Sequence, residues 1–289
     1  MKEFFKNTGK ATVYFLVYIL AQVVAFFVGS VVCGAVVAYQ AGVQGKTLAP
    51  AETVQSATEL LTQNLGLALI ANAVIAISIY VIFFAIRKKN FFNETSIKKI
   101  SAKTAILAVT TVIGTYCCMN FALNFIPEDS SLAQNFIESS SRLSDMPFWQ
   151  SLLATSIIVP ILEEVVFRGL MFSRLNRSMP TWLAIIITSA VFGLVHGQAL
   201  WAVWAGLLGV IINIVRVKTG SLIPCIIIHI INNTTSSIIS ELNLDTEISL
   251  GANIAVVVIG AVFLVTSLYL IGKDRSDNEA DVEVSTVAA

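Results

Sequence analysis

Five acidic, basic or imidazole side chains interrupt the apolar segments of this chain: Glu163, Glu164, Arg168, His196 and His229. A charge at membrane depth costs roughly 2.5–3.5 kcal/mol on insertion scales, so such residues carry a functional expectation by default. On a helix, Glu164 and Arg168 are four apart and can pair. Glu163 lies ~100° round the same helix, free to face elsewhere. The spacing therefore separates a charge-compensated glutamate from an available one. Phe192 and His196 are also four apart, as are His229 and Asn233, so each pair projects from one helix face. Carboxylate plus imidazole suits either water activation or a metal site, and the Asn233 amide can donate to a developing oxyanion. The chain has only two histidines, and both belong to this set.

The elements that must position these residues are membrane helices. Of 289 residues, 56% are hydrophobic and only 12% charged, and the mean hydropathy is +0.82. A soluble domain is about a quarter charged. The expected fold is an all-α polytopic membrane protein, one integral domain over 1–289 with about eight transmembrane helices bundled round a catalytic core. The apolar stretches run over 11–39, 65–86, 104–126, 148–172, 180–197, 198–215, 220–240 and 249–271. Lys2, Lys6 and Lys10 precede the first, but it is far longer than a 7–15-residue signal core, so it reads as a span. A polar loop fills 40–63, a basic loop 87–103, and Glu128, Asp129, Glu138 and Asp145 make the loop after Pro127 acidic. Asp245 and Glu247 lie in the last external loop, and 272–289 reads as a disordered cytoplasmic tail.

With the N-terminus inside and eight spans, fifteen of the eighteen Lys and Arg fall on the cytoplasmic side. Only Lys46 and Arg142 fall outside, and Arg168 is within a span. That bias places both termini in the cytoplasm. The net charge is zero, and without a basic excess nucleic acid is not an expected partner. No internal repeat supports an inverted-repeat transporter. Cys33, Cys117, Cys118 and Cys225 lie in apolar segments without metal-type spacing and read as small hydrophobes. Trp149, Trp182, Trp201 and Trp204 read as interfacial anchors, and Gly169, Gly193, Gly197, Gly206 and Gly209 as sites of close helix packing. Pro160 should kink its helix and free a backbone carbonyl.

Glu-Glu-x-x-x-Arg (Glu163, Glu164, Arg168), Phe-x-x-x-His (Phe192, His196) and His-x-x-x-Asn (His229, Asn233) occur in this order on successive hydrophobic segments. In these motifs the chain resembles the CPBP family of intramembrane proteases, the CAAX prenyl endopeptidases and bacterial Abi proteins. The resemblance covers a core of about 148–240. It implies an intramembrane endopeptidase acting on a membrane-associated or lipidated peptide or protein, in contact with membrane lipid and, in a bacterium, in the plasma membrane. It implies Glu163 as the general base, His196 holding or polarising the water, and His229 with Asn233 stabilising the oxyanion. Glu164 and Arg168 would then hold their helix in register, and Phe192 would shape the site.

The alternatives are a non-catalytic immunity or scaffold protein and a proton-coupled transporter. A metal-free mechanism is the preferred expectation. Zinc bound by Glu163, His196 and His229 is the alternative, and it would force Glu164 into the role of base. One conflict stands within the sequence. At ~1.5 Å per residue, Glu163 and His229 fall roughly 13 Å from the inner ends of their spans, but His196 falls ~24 Å from its own.

Overall fold

The computed structural model describes residues 1–123, 126–127, 129–144, 146–242 and 249–287, with side chains described in those ranges except 120–123, 142–144 and 275–287. Glu128, Asp145, Asp245, Glu247 and the last two tail residues lie outside the described residues, as do the side chains of Arg142 and Arg275. The described secondary structure is helical throughout, as the composition requires. In lipid each backbone N–H and C=O must be satisfied within the chain, which helices do segment by segment.

In chain order the helices are α1 (Lys2–Val43), α2 (Pro50–Gln63), α3 (Leu65–Ile86), α4 (Phe91–Thr95), α5 (Ala102–Leu123) and α6 (Ser131–Ser144). They continue as α7 (Phe148–Leu175), α8 (Thr181–Leu194), α9 (Ala199–Thr219), α10 (Ile223–Glu241) and α11 (Leu250–Val287). Among the described residues, seven segments are long and apolar enough to cross a membrane, in α1, α3, α5, α7, α9, α10 and α11. The eighth apolar stretch, α8, has only 14 helical residues. At ~1.5 Å per residue that is about 21 Å, short of a hydrocarbon core of ~30 Å.

The sequence reading of 180–197 as a full span is therefore corrected to a short helix and a turn. Gly197 makes that turn with φ +73°, a backbone value that a side chain disfavours. The Gln198 side chain then caps α9 by accepting from the Trp201 N–H. Close packing accounts for Gly193, where a Cβ would lie 2.3 Å from the Ala202 carbonyl, but not for Gly197, which has open space around it. The stretches read as polar loops also hold structure: α2, α4 and α6 are short helices lying between the spans. α11 continues past its apolar stretch, through the region read as a tail.

α7 is the axis of the molecule. Its Leu162, Val166, Phe167 and Leu170 are fully or almost fully buried, and α1, α3, α8 and α10 pack around it. Two stretches of α7, Ser151–Ile158 and Val165–Met171, have wide turns with i→i+5 hydrogen bonding. Such turns occur often at functional sites. The six residues between them, Val159–Glu164, are ordinary α-helix and carry both glutamates.

The cation-rich ends meet on one face. Asp274 of α11 accepts from Ser101 and Thr104 at the start of α5. Ser221 Oγ, in the α9–α10 turn, donates to the Lys98 carbonyl. Arg174, at the end of α7, pairs with Glu94 of α4, which also binds Lys89.

Candidate functional site

α7 presents its glutamates in different directions, as the helical spacing predicts. Glu164 is fully buried and Glu163 7% exposed. Arg168 Nη1 donates to Glu164 Oε1 across 3.0 Å, with both side chains fully buried. The same Oε1 lies 2.8 Å from His229 Nδ1. A carboxylate only accepts, so this contact puts the Nδ1 proton on the imidazole and directs Nε2 the other way. His229 Nε2 then stands 3.7 Å from Glu163 Oε2. The other Glu163 oxygen, Oε1, accepts from the Tyr18 hydroxyl at 3.5 Å. Both distances exceed those of tight hydrogen bonds.

Phe192 is the hub between the motifs. Its ring sits under the Arg168 guanidinium, 4.2 Å from Cζ to centroid. It meets Phe167 at 5.0 Å, His196 at 5.0 Å and His229 at 5.7 Å. The cation–π contact matters because Arg168 Nε and Nη2 and Glu164 Oε2 have no hydrogen-bond partner among the described residues. The negative face of the ring partly compensates the positive charge that the single ion pair leaves under-coordinated.

The depth conflict is resolved by how α8 ends. Phe192, not His196, sits at the level of Arg168 and His229. His196 follows one turn later, beyond the helix, and folds back so that Nδ1 lies 2.8 Å from the Phe192 carbonyl. The backward tilt of side chains toward a helix N-terminus favours that direction. His196 also lines a cavity of about 460 Å³ with Asn135, Glu138 and Ser139 of α6 and with Gln198 and Trp201. Glu163, Glu164, Arg168, Phe192 and His229 thus form one contact cluster, and His196 joins it through Phe192.

Asn233 lies one turn beyond His229, and its amide donates to the Thr155 carbonyl at 2.9 Å. The wide-turn register of α7 explains why that carbonyl is available. Val159 N–H bonds to the Ala154 carbonyl, five residues back. The next donor in that register would be residue 160, which is proline and has no N–H. Asn233 meets the carbonyl that Pro160 leaves open. Its Oδ1 accepts from Asn232 at 3.2 Å, and Ser156 and Ser237 are hydrogen-bonded 2.9 Å apart between the same helices.

Three residues in this arrangement were not singled out from the sequence. Tyr18 belongs to α1, far from any motif, and Thr155 acts through its backbone. Asn213 is fully buried and bonds Thr188 and Ser189, drawing α9 onto α8; a polar residue in the middle of an apolar run was the available clue. The zinc set of Glu163, His196 and His229 is not assembled as a three-ligand cluster. Among the described residues, no three His, Cys, Asp or Glu side chains are placed to hold one ion. The arrangement does not fit a tetrahedral site with three protein ligands.

Residues 145–235 match the family model described as Rce1-like, type II CAAX prenyl endopeptidase. Among curated proteins, an uncharacterized 24.3 kDa protein of Escherichia coli is 32% identical over 84 residues, which cover 27% of this chain and 39% of that protein. No solved structure matches. All three motifs and every contact of the cluster except that of Tyr18 fall inside the matched residues, so the similarity to type II CAAX prenyl endopeptidases rests on the segment that holds the site.

Proposed function

We propose that this chain is an intramembrane endopeptidase that hydrolyses a peptide bond of a membrane-associated or lipidated peptide or protein, using water activated by Glu163. The observation that carries the reading is the division of labour between the adjacent glutamates. Glu164 is committed to Arg168 and His229, whereas Glu163 faces His229 Nε2 and Tyr18 without a cation.

In this reading Glu163 takes a proton from water as the water oxygen bonds to the scissile carbonyl carbon. The C–N bond then breaks, and Glu163 returns the proton to the departing amine. His229 and Asn233 serve the oxyanion, the former through Nε2–H when the ring is protonated and the latter through the second N–H of its amide. His196, on the cavity side of Phe192, holds the water or the substrate. Glu164 orients His229 by fixing its Nδ1, and Arg168 and Phe192 hold Glu164 in place. No step requires a metal ion.

Purified protein presented with a library of membrane-bound and lipidated peptides tests the proposal. Glu163→Gln should lower turnover ~10²–10⁴-fold, the usual contribution of a general base. Cleavage by folded Glu163→Gln at the wild-type rate would refute the assignment, and transport of peptide without cleavage would refute the reaction class.

A further inference from the structure

A helix that carries none of the three motifs reaches the glutamates. Along α1 the buried residues include Ala11, Tyr14, Tyr18, Ala21 and Ala25. They are spaced three and four apart and so form one inner face. Val13, Leu16 and Leu20, between them, are exposed. The alanines allow α1 to approach closely, and the two tyrosines are the long side chains of that face.

Each tyrosine is held by a different neighbour. The Tyr80 hydroxyl of α3 donates to the Tyr14 carbonyl at 2.6 Å, and the Tyr14 and Tyr80 rings meet edge-on with centroids 6.2 Å apart. That bond pins α1 one helical turn from Tyr18. The Tyr18 ring packs edge-on against Phe167 of α7, 5.7 Å between centroids, and beside Phe15 at 6.5 Å. Tyr18 is only 5% exposed, and its hydroxyl lies 3.5 Å from Glu163 Oε1.

The ring accounts for the packing, and the hydroxyl is the part that packing does not need. A buried hydroxyl costs free energy unless it is hydrogen-bonded, and this one is aimed at a carboxyl. A carboxylate can only accept. Its other oxygen, Oε2, faces His229 Nε2 at 3.7 Å. With the Nδ1 proton directed at Glu164, that nitrogen donates only when the ring is protonated. A phenol keeps its proton at neutral pH, so Tyr18 donates to Glu163 in either state of the imidazole.

We propose that Tyr18 is a positioning residue for Glu163: its hydroxyl holds Oε1 and so leaves Oε2 directed at His229 and the reacting water. A helix outside the matched residues 145–235 thereby becomes part of the working site. The proposal rests on the reading of Glu163 as the base, and its test separates the two.

Cleavage of a membrane-bound peptide by the full chain would be measured for Tyr18→Phe, Glu163→Gln and the double variant, with thermal unfolding of each. Tyr18→Phe removes the hydroxyl and keeps the ring, so the melting temperature should change little. Its kcat should fall about tenfold, the lower end for a hydrogen bond to a charged group, at nearly constant KM. In the Glu163→Gln background the same change should leave the residual turnover almost unaltered, because the hydroxyl acts through the carboxylate. An equal loss in both backgrounds would overturn the proposal and assign Tyr18 a purely structural role. A raised KM at constant kcat would overturn it in favour of substrate binding. An inactive Glu163→Gln beside a fully active Tyr18→Phe would overturn the proposal alone, whereas wild-type turnover in Glu163→Gln would refute the base and the proposal with it. A second readout needs no turnover. The infrared carboxyl band identified by its loss in Glu163→Gln should shift in Tyr18→Phe, and an unshifted band would overturn the contact.

Discussion

Glu164 Oε1 accepts from two buried cationic or potentially cationic donors at once, Arg168 Nη1 at 3.0 Å and His229 Nδ1 at 2.8 Å. One carboxylate oxygen therefore joins the first motif to the third. The i,i+4 pairing within α7 is local, but the bond to His229 clamps α10 onto α7 and fixes which imidazole nitrogen faces Glu163.

Breaking that clamp from one side should cost stability. Arg168→Met leaves Glu164 buried beside a single imidazole, and loss of one partner of a buried pair typically costs about 3–5 kcal/mol. Glu164→Gln should also destabilise, because Arg168 then loses its carboxylate. Replacing both, as Glu164→Gln with Arg168→Met, should cost less than the two single losses added together. Thermal unfolding in detergent checks this, and additive losses would mean that the pair is not energetically coupled.

Asn233 and Pro160 should be coupled through a group that belongs to neither. Asn233→Ala leaves the Thr155 carbonyl unmet, at a cost of about 1–3 kcal/mol for a buried polar group. Pro160→Ala restores an N–H in the register that reaches Thr155. In that background Asn233→Ala should be milder by about 1 kcal/mol, within the range seen for coupled residues. A double-mutant cycle with zero interaction energy would rule out the shared carbonyl.

Metal dependence is the sharpest divide between mechanisms for this cluster. The expected result for active, purified protein is sub-stoichiometric zinc and activity that persists through chelation. Stoichiometric zinc, with activity lost on chelation and restored by add-back, would require His196 to turn from the Phe192 carbonyl toward Glu163.

Topology follows from charge and from the shared face. The basic segments beside Lys98, Arg174, Ser221 and Asp274 meet on one side of the molecule, and the positive-inside rule predicts that this side faces the cytoplasm. A cysteine placed at Lys99 should resist impermeant reagent in intact cells and react after permeabilisation. Labelling in intact cells would invert the orientation.

Acid should loosen the basic face before neutral pH does. Burial pushes the Glu94 carboxyl up, but hydrogen bonds from Lys89 and Arg174 together with their charges outweigh it and hold the group below its ordinary value. A carboxyl depressed in the folded state stabilises above its unfolded value, and that contribution is lost as pH falls through the folded one. Stability measured from neutral pH downward should therefore decline through the lower carboxylate range. Glu94→Gln should be less stable near neutrality and show a shallower acid decline; an unchanged slope would remove Glu94 as its cause.

The amino-acid sequence by itself determined the apolar spans and the pairings of residues four apart on one helix. Apolar runs had to become helices because lipid leaves the backbone no other partner. Glu164 had to meet Arg168 because residues four apart share a helix face. Side-chain periodicity likewise put Phe192 with His196 and His229 with Asn233. Tertiary structure alone decided which of these faces meet. The His229–Glu164 bond spans 65 residues of sequence and the Tyr18–Glu163 bond 145, and no local spacing encodes either. The i→i+5 turns of α7 shift the carbonyl that Pro160 exposes from Ser156 to Thr155, a change invisible to any reading that assumes 3.6 residues per turn. The level of His196 depended on where α8 stops. An apolar run of 18 residues allows a full span, and only its packing against α9, with the glycine turn that follows, ended the helix at Leu194.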